Sequence, residues 1–127
     1  MGRVDSKEIG TRQQQIMQCI WEAGGRSTVP EIIERLERKA GIRLTRQAVN
    51  TFLLILMEKG FLAQGPKEGK AYIYIALISE DEFRRSELER IEKLTYGGSP
   101  SALVATMLET EISDEELKKI KRLMDQL

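Results

Sequence analysis

Arg46, Gln47, Asn50 and Thr51 are the residues of this sequence best suited to selective hydrogen bonding, and their spacing puts all four on one side of a helix. On that helix Val49, Phe52, Leu53 and Leu56 recur at three- and four-residue intervals and form the opposite, apolar face. Arg bonds guanine bidentately, Asn and Gln do the same with adenine, and a Thr methyl can touch that of thymine. The row therefore has the composition of a base-reading surface. Thr45, just before it, is placed to cap the helix by accepting a backbone N–H. Lys67 and Lys70 flank Glu68-Gly69 further along, where ammonium groups at a turn can reach phosphates or an adjacent minor groove. Polar helix faces and charged turns are also ordinary solvated surface, so the elements around them must separate the two readings.

Those elements have clear punctuation. Thr11-Arg12-Gln13-Gln14 reads as a capping box, followed by Ile16, Cys19 and Ile20 at helical spacing and stopped by Gly24-Gly25. Thr28-Val29-Pro30-Glu31 repeats the logic with Pro30 in the first turn, Ile32, Ile33 and Leu36 on one face, and Gly41 at the end. The third helix starts at Thr45 and stops at Gly60. The period then changes to two: Ala71-Tyr72-Ile73-Tyr74-Ile75-Ala76-Leu77 alternates as a half-exposed strand does. Leu62-Ala63-Gln64 and the polar Pro66 to Lys70 stretch complete a hairpin. Three helices and a hairpin with a basic tip predict a mainly α chain with a small β-hairpin, a winged helix-turn-helix over residues 11–78.

Residues 79–127 predict a separate helical region. Ser79-Glu80-Asp81-Glu82 caps a helix carrying Phe83, Leu88, Ile91 and Leu94, which ends at Gly97-Gly98. Ser99-Pro100 begins a second, with Leu103, Val104, Met107 and Leu108 on one side, and Ser113-Asp114-Glu115-Glu116 a third, with Leu117, Ile120, Leu123, Met124 and Leu127. So short a segment lies below the roughly 70–80 residues at which a lone core suffices, so its apolar faces need another surface. A second copy of the chain is the economical one, through Phe83, Ile91, Leu94, Leu103, Val104, Met107, Leu108, Leu117, Ile120 and Met124.

Composition narrows the chemistry. The 127 residues include no histidine and one cysteine, Cys19, which removes the usual general base, the commonest zinc ligand and any internal disulfide. No catalytic residue, metal ligand or cofactor site is expected, and Cys19 reads as a small buried hydrophobe. The acidic groups at Glu80 to Glu82 and Asp114 to Glu116 fall in helix first turns, where the macrodipole favours them. Net charge is zero but divided, with 12 basic and 8 acidic residues up to Ile78 and 8 basic and 12 acidic beyond it. A basic first lobe suits a polyanion. With no signal-peptide pattern and no run of about 18 apolar residues, a cytoplasmic location without a membrane partner is expected.

The motifs together resemble the BlaI/MecI/CopY penicillinase-repressor family. Ile16-Met17, Ile20-Trp21-Glu22 and Pro30 to Leu36 are similar to its first two helices, and Val49-Asn50-Thr51, Leu53-Leu54 and Glu58-Lys59-Gly60-Phe61-Leu62 to its recognition helix. Lys67 to Tyr74 resembles its wing, and Ser79 to Phe83, Gly97-Gly98-Ser99, Ala102-Leu103-Val104 and Ser113 to Leu117 its dimerisation region. The resemblance implies a homodimeric winged-helix repressor that holds a palindromic, double-stranded operator shut through helix 3 and the basic wing. In the penicillinase branch it also implies a sensor protease, of unknown identity here, that cuts an Asn-Phe bond; the aligned pair in this chain is Thr106-Met107. Leu44-Thr45-Arg46 stands where the family usually has Trp-Ser-Pro, and the cysteine-rich carboxyl terminus of the copper branch is absent. The alternatives are a winged helix used for protein–protein contact and, from another class, a small enzyme or metal-dependent sensor, which the missing histidines disfavour.

Overall fold

The structure, a computed structural model that describes residues 9–127, has six helices and a small sheet among those residues. In chain order they are α1 (Thr11–Glu22), β1 (Arg26–Thr28), α2 (Val29–Ala40), α3 (Arg46–Glu58), β2 (Leu62–Glu68), β3 (Ala71–Ala76), α4 (Glu80–Thr95), α5 (Pro100–Glu109) and α6 (Asp114–Asp125). The chain divides into two compact units, the first running to Leu88 and the second spanning Glu89–Leu127.

Caps account for the starts of most helices. Thr28 Oγ1 accepts from Glu31 N–H at 3.4 Å while Glu31 Oε1 accepts from Thr28 N–H at 2.9 Å, which closes a capping box on α2. That second bond, more than any other influence, holds the Glu31 carboxyl below the usual carboxylate range. Thr45 Oγ1 accepts from Ala48 N–H at 3.1 Å and starts α3. The cap of α1 sits one residue earlier than the sequence pattern suggests: Gly10 is the N-cap, its N–H donates to Gln13 Oε1 at 3.1 Å, and Thr11 is already helical. A glutamine reaching back to the cap needs only the backbone N–H there, so the box works without a capping side chain. At the other end of α2, Gly41 takes φ +66°, the left-handed conformation that reverses the chain toward α3.

The core of the first unit gathers the apolar faces of the three helices. Ile16, Met17 and Ile20 of α1, Ile32 and Leu36 of α2, and Val49, Leu53 and Leu56 of α3 are buried together with Phe61 and Leu62. Each such side chain contributes about 1.5–3 kcal/mol by leaving water. The sheet is antiparallel in the order β1-β3-β2. The hairpin of β2 and β3 is thus joined by a third strand, Arg26–Thr28, paired as Arg26 with Ile75 and Thr28 with Ile73. Three residues are too few for an alternating pattern, which is why the sequence pattern contains no signal for this strand. The register of β2 shifts between Gln64 and Lys67, where Gly65 and Pro66 stand on an edge strand. A Cβ at Gly65 would come within 2.8 Å of Ile75 Cδ1, so a larger residue at this bend displaces the end of that side chain. The tip turns through Gly69 at φ +67°.

The first unit extends past the Ile78 boundary suggested by charge and pattern. Phe83, on the first turns of α4, is buried 5.4 Å from the Trp21 ring and 5.9 Å from that of Phe61. Trp21 Nε1 donates to the Ile78 carbonyl at 2.9 Å, and Gln18 Nε2 donates to Glu80 Oε2 at 2.9 Å. The sequence pattern places Phe83 at the subunit contact, because it begins an apolar stripe continued by Leu88, Ile91 and Leu94. Its own chain already covers it, since the ring packs against Trp21 of α1 and Phe61 just after α3. In the second unit, Ser99 and Ser113 cap α5 and α6, and neither helix has a buried residue.

Candidate nucleic-acid interface

Burial of Val49, Leu53 and Leu56 fixes the roll of α3, and with it the direction of the opposite face. Arg46, Gln47, Asn50 and Thr51 are all exposed there, as the spacing predicts. Thr45, also exposed, spends its hydroxyl oxygen on the cap of the helix. Thr51 Oγ1 donates back to the Gln47 carbonyl at 3.1 Å, so this residue has its methyl and the lone pairs of its hydroxyl oxygen to offer.

A groove of about 370 Å³ lies beside α3, between it and the hairpin, with Val29 and Pro30 of α2 at one side. Arg46, Asn50 and Leu54 line it from the helix, and Lys70, Tyr72 and Tyr74 from the strand side. The fold thus brings three of the candidate residues, Arg46, Asn50 and Lys70, to one cleft. Gln47 and Thr51 lie on the neighbouring strip of the helix rather than in the cleft. Lys67 is drawn to a different partner, its Nζ standing 5.1 Å from the centroid of the Tyr72 ring. Glu68, whose charge opposes that of the two lysines, is met by Arg26 of β1 at 3.6 Å. Both partners are largely exposed, so the pair adds little stability; it offsets an acidic charge at the tip of the hairpin.

Sequence reasoning missed Arg26, Leu54, Tyr72 and Tyr74 as parts of this face. A signal existed for Leu54, which follows Asn50 by four residues and Gln47 by seven and so continues the polar row. None existed for Arg26, whose place depends on the pairing of β1 with β3.

Away from this face, Cys19 is buried, and that burial above all pushes its thiol pKa up, with Glu22 adding to the shift. It packs as a small hydrophobe. Among the described residues no group of three or more His, Cys, Asp or Glu side chains is arranged to hold a metal, and no helix is long and apolar enough to cross a membrane.

Residues 9–126 match the family model described as penicillinase repressor. The chain belongs to the penicillinase repressor family. It is similar to the penicillinase repressor of Bacillus licheniformis, 24% identical over 120 residues that cover 94% of this chain and 91% of that one. The methicillin resistance regulatory protein MecI of Staphylococcus aureus (strain N315) is 23% identical over 119 residues, covering 93% and 94%. Among solved structures, a chain of the hsRosR-S4 complex superposes with a TM-score of 0.57 at 13% identity, covering 99% of this chain and 95% of that one. At that identity the likeness concerns the fold alone.

The remaining candidates of this penicillinase repressor family member lie in the helical tail. Ile91, Leu94, Val104, Met107, Leu108 and Met124 are exposed, Leu94 at 75%. Leu103, Leu117 and Ile120 are partly covered. Thr106-Met107 falls inside α5, where Thr106 Oγ1 donates to the Ala102 carbonyl at 3.3 Å. A peptide bond in such a helix is reached by a protease only after local unwinding, unlike one in an exposed loop tip.

Proposed function

We propose that this chain is a DNA-binding transcriptional repressor without catalytic activity of its own, acting in the cytoplasm as a pair of identical subunits on a palindromic operator. The observation that carries the reading is the exposed row Arg46, Gln47, Asn50 and Thr51 on a helix rolled by its buried face, with Lys70 of the hairpin across one groove from Arg46 and Asn50. In this reading α3 enters the major groove, the row meets base edges, and the lysines of the hairpin reach the backbone. Membership of the penicillinase repressor family supports it. Residues 11–78, closed by the first turns of α4, act as the reading head, and the rest of the 79–127 region joins two heads through the apolar residues of α4, α5 and α6. Two joined heads gain affinity because the second contact is intramolecular, at an effective concentration on the order of millimolar. Their two-fold symmetry places the half-sites about 10 base pairs apart or a multiple of that. A signal that ends repression by proteolysis acts at a bond other than Thr106-Met107.

The test begins with a duplex enriched from a random pool by the full chain. Asn50→Ala and Gln47→Ala each weaken binding to it by about 1–3 kcal/mol and leave binding to an unrelated duplex nearly unchanged. Equal losses on both duplexes would remove these residues from base reading, and a failure to enrich any sequence would remove DNA as the target.

A further inference from the structure

On α3 the polar row does not stop at Thr51. One turn beyond Asn50 it meets Leu54, a large apolar side chain that is 57% exposed, while Val49, Leu53 and Leu56 form the buried face of the helix. A single exposed leucine is ordinary on a protein surface and by itself means nothing. Here its surroundings are particular. It follows Asn50 at helical spacing, and it shares a cleft with Arg46, Asn50 and Lys70 on the face proposed to meet DNA. Tyr72, 45% exposed, lines the same cleft from the hairpin. In the major groove three of the four bases offer a protein only hydrogen-bonding groups, and thymine alone offers a methyl. A leucine in that groove desolvates the polar edge of any other base without a bond in return, which costs binding.

We infer that Leu54 is a specificity-determining residue that selects thymine in each half-site, its side chain packing on the C5-methyl. This rests on the DNA-binding reading above and names one base that the site reads without a hydrogen bond. Its expected position is next to the bases met by Asn50, because Leu54 lies one turn further along α3.

The experiment uses the full chain and the duplex enriched from a random pool. Each thymine is replaced in turn by deoxyuridine, which removes the methyl and keeps every hydrogen-bonding group. At one position per half-site the substitution weakens binding of the unaltered protein roughly fourfold, or about fifteenfold when made in both half-sites, the scale expected for one buried methyl. Leu54→Ala binds the thymine duplex more weakly by a similar factor and no longer distinguishes deoxyuridine at that position. The variant removes an exposed side chain and leaves the core untouched, and a circular dichroism melt confirms the fold. If Leu54 only props the hairpin, Leu54→Ala weakens all duplexes alike and keeps the sensitivity to deoxyuridine, which overturns the inference. Insensitivity of the unaltered protein at every thymine overturns it too, while leaving the DNA-binding reading intact. If no duplex is enriched, both fall together.

Discussion

Lys70→Gln tests the role of the hairpin quantitatively. Lys70 lines the cleft opposite Arg46 and Asn50, and in the proposed reading its ammonium group meets a phosphate beside the bases read by α3. If each subunit neutralises one phosphate with it, a bound pair loses two contacts, and the slope of log K against log salt becomes shallower by about 1.8. Between about 50 and 200 mM salt the deficit of the variant against the unaltered protein then shrinks by roughly 12-fold, because fewer counterions are released. Lys67→Gln has a smaller effect. Its ammonium already sits 5.1 Å over the Tyr72 ring, a contact worth about 0.5–1 kcal/mol at an exposed site, and part of any gain from a phosphate is spent in leaving it. Fluorescence anisotropy titrations of a labelled duplex at four salt concentrations give the slopes. A change of about 0.9 would mean one subunit on the DNA rather than two. An unchanged slope for Lys70→Gln would show that the lysine is merely solvated and would refute the placement of the hairpin against the backbone.

Three further outcomes follow from the geometry. Phe83→Ala empties the space between Trp21 and Phe61 and costs about 3–5 kcal/mol, read as a lower urea midpoint by the fluorescence of Trp21, the single tryptophan; a loss under about 1 kcal/mol would place Phe83 outside the core. Glu31→Gln keeps an amide oxygen for the Thr28 N–H and removes only the charge in the first turn, which costs about 0.3–1 kcal/mol at pH 7. Because the folded-state pKa of Glu31 is depressed, chiefly by the Thr28 N–H, its contribution is present above the ordinary carboxylate range and lost as pH falls through the folded value. Urea melts of variant and unaltered protein therefore converge in acid, and a gap that persists there contradicts the assigned cause. Met107→Glu puts a charge on the exposed apolar face of α5 and shifts sedimentation equilibrium at micromolar chain concentration toward single chains; an unchanged mass average would clear that face of a part in assembly.

Much of this molecule is decided by local physics that the amino-acid order carries directly. Thr28 with Glu31, and Thr45 before Ala48, start helices because a side-chain oxygen lies within reach of a backbone N–H three residues away, and Gly41 ends α2 because a left-handed residue is needed there. The period of the apolar residues rolls α3, so the exposure of Arg46, Gln47, Asn50 and Thr51 follows from the positions of Val49, Leu53 and Leu56. Tertiary structure decided what depends on contacts distant in sequence. Phe83 continues an apolar stripe with Ile91 and Leu94, and the stripe by itself does not say which of its members face the home unit; Trp21 and Phe61, brought together by the packing of α1 and α3, take Phe83. Arg26–Thr28 becomes a strand only because β3 has a free edge beside it, and that pairing sets Arg26 against Glu68 at the hairpin. The cleft that unites Arg46, Asn50 and Leu54 with Lys70 has the same origin, since its two walls are elements whose separation no helical or strand period encodes.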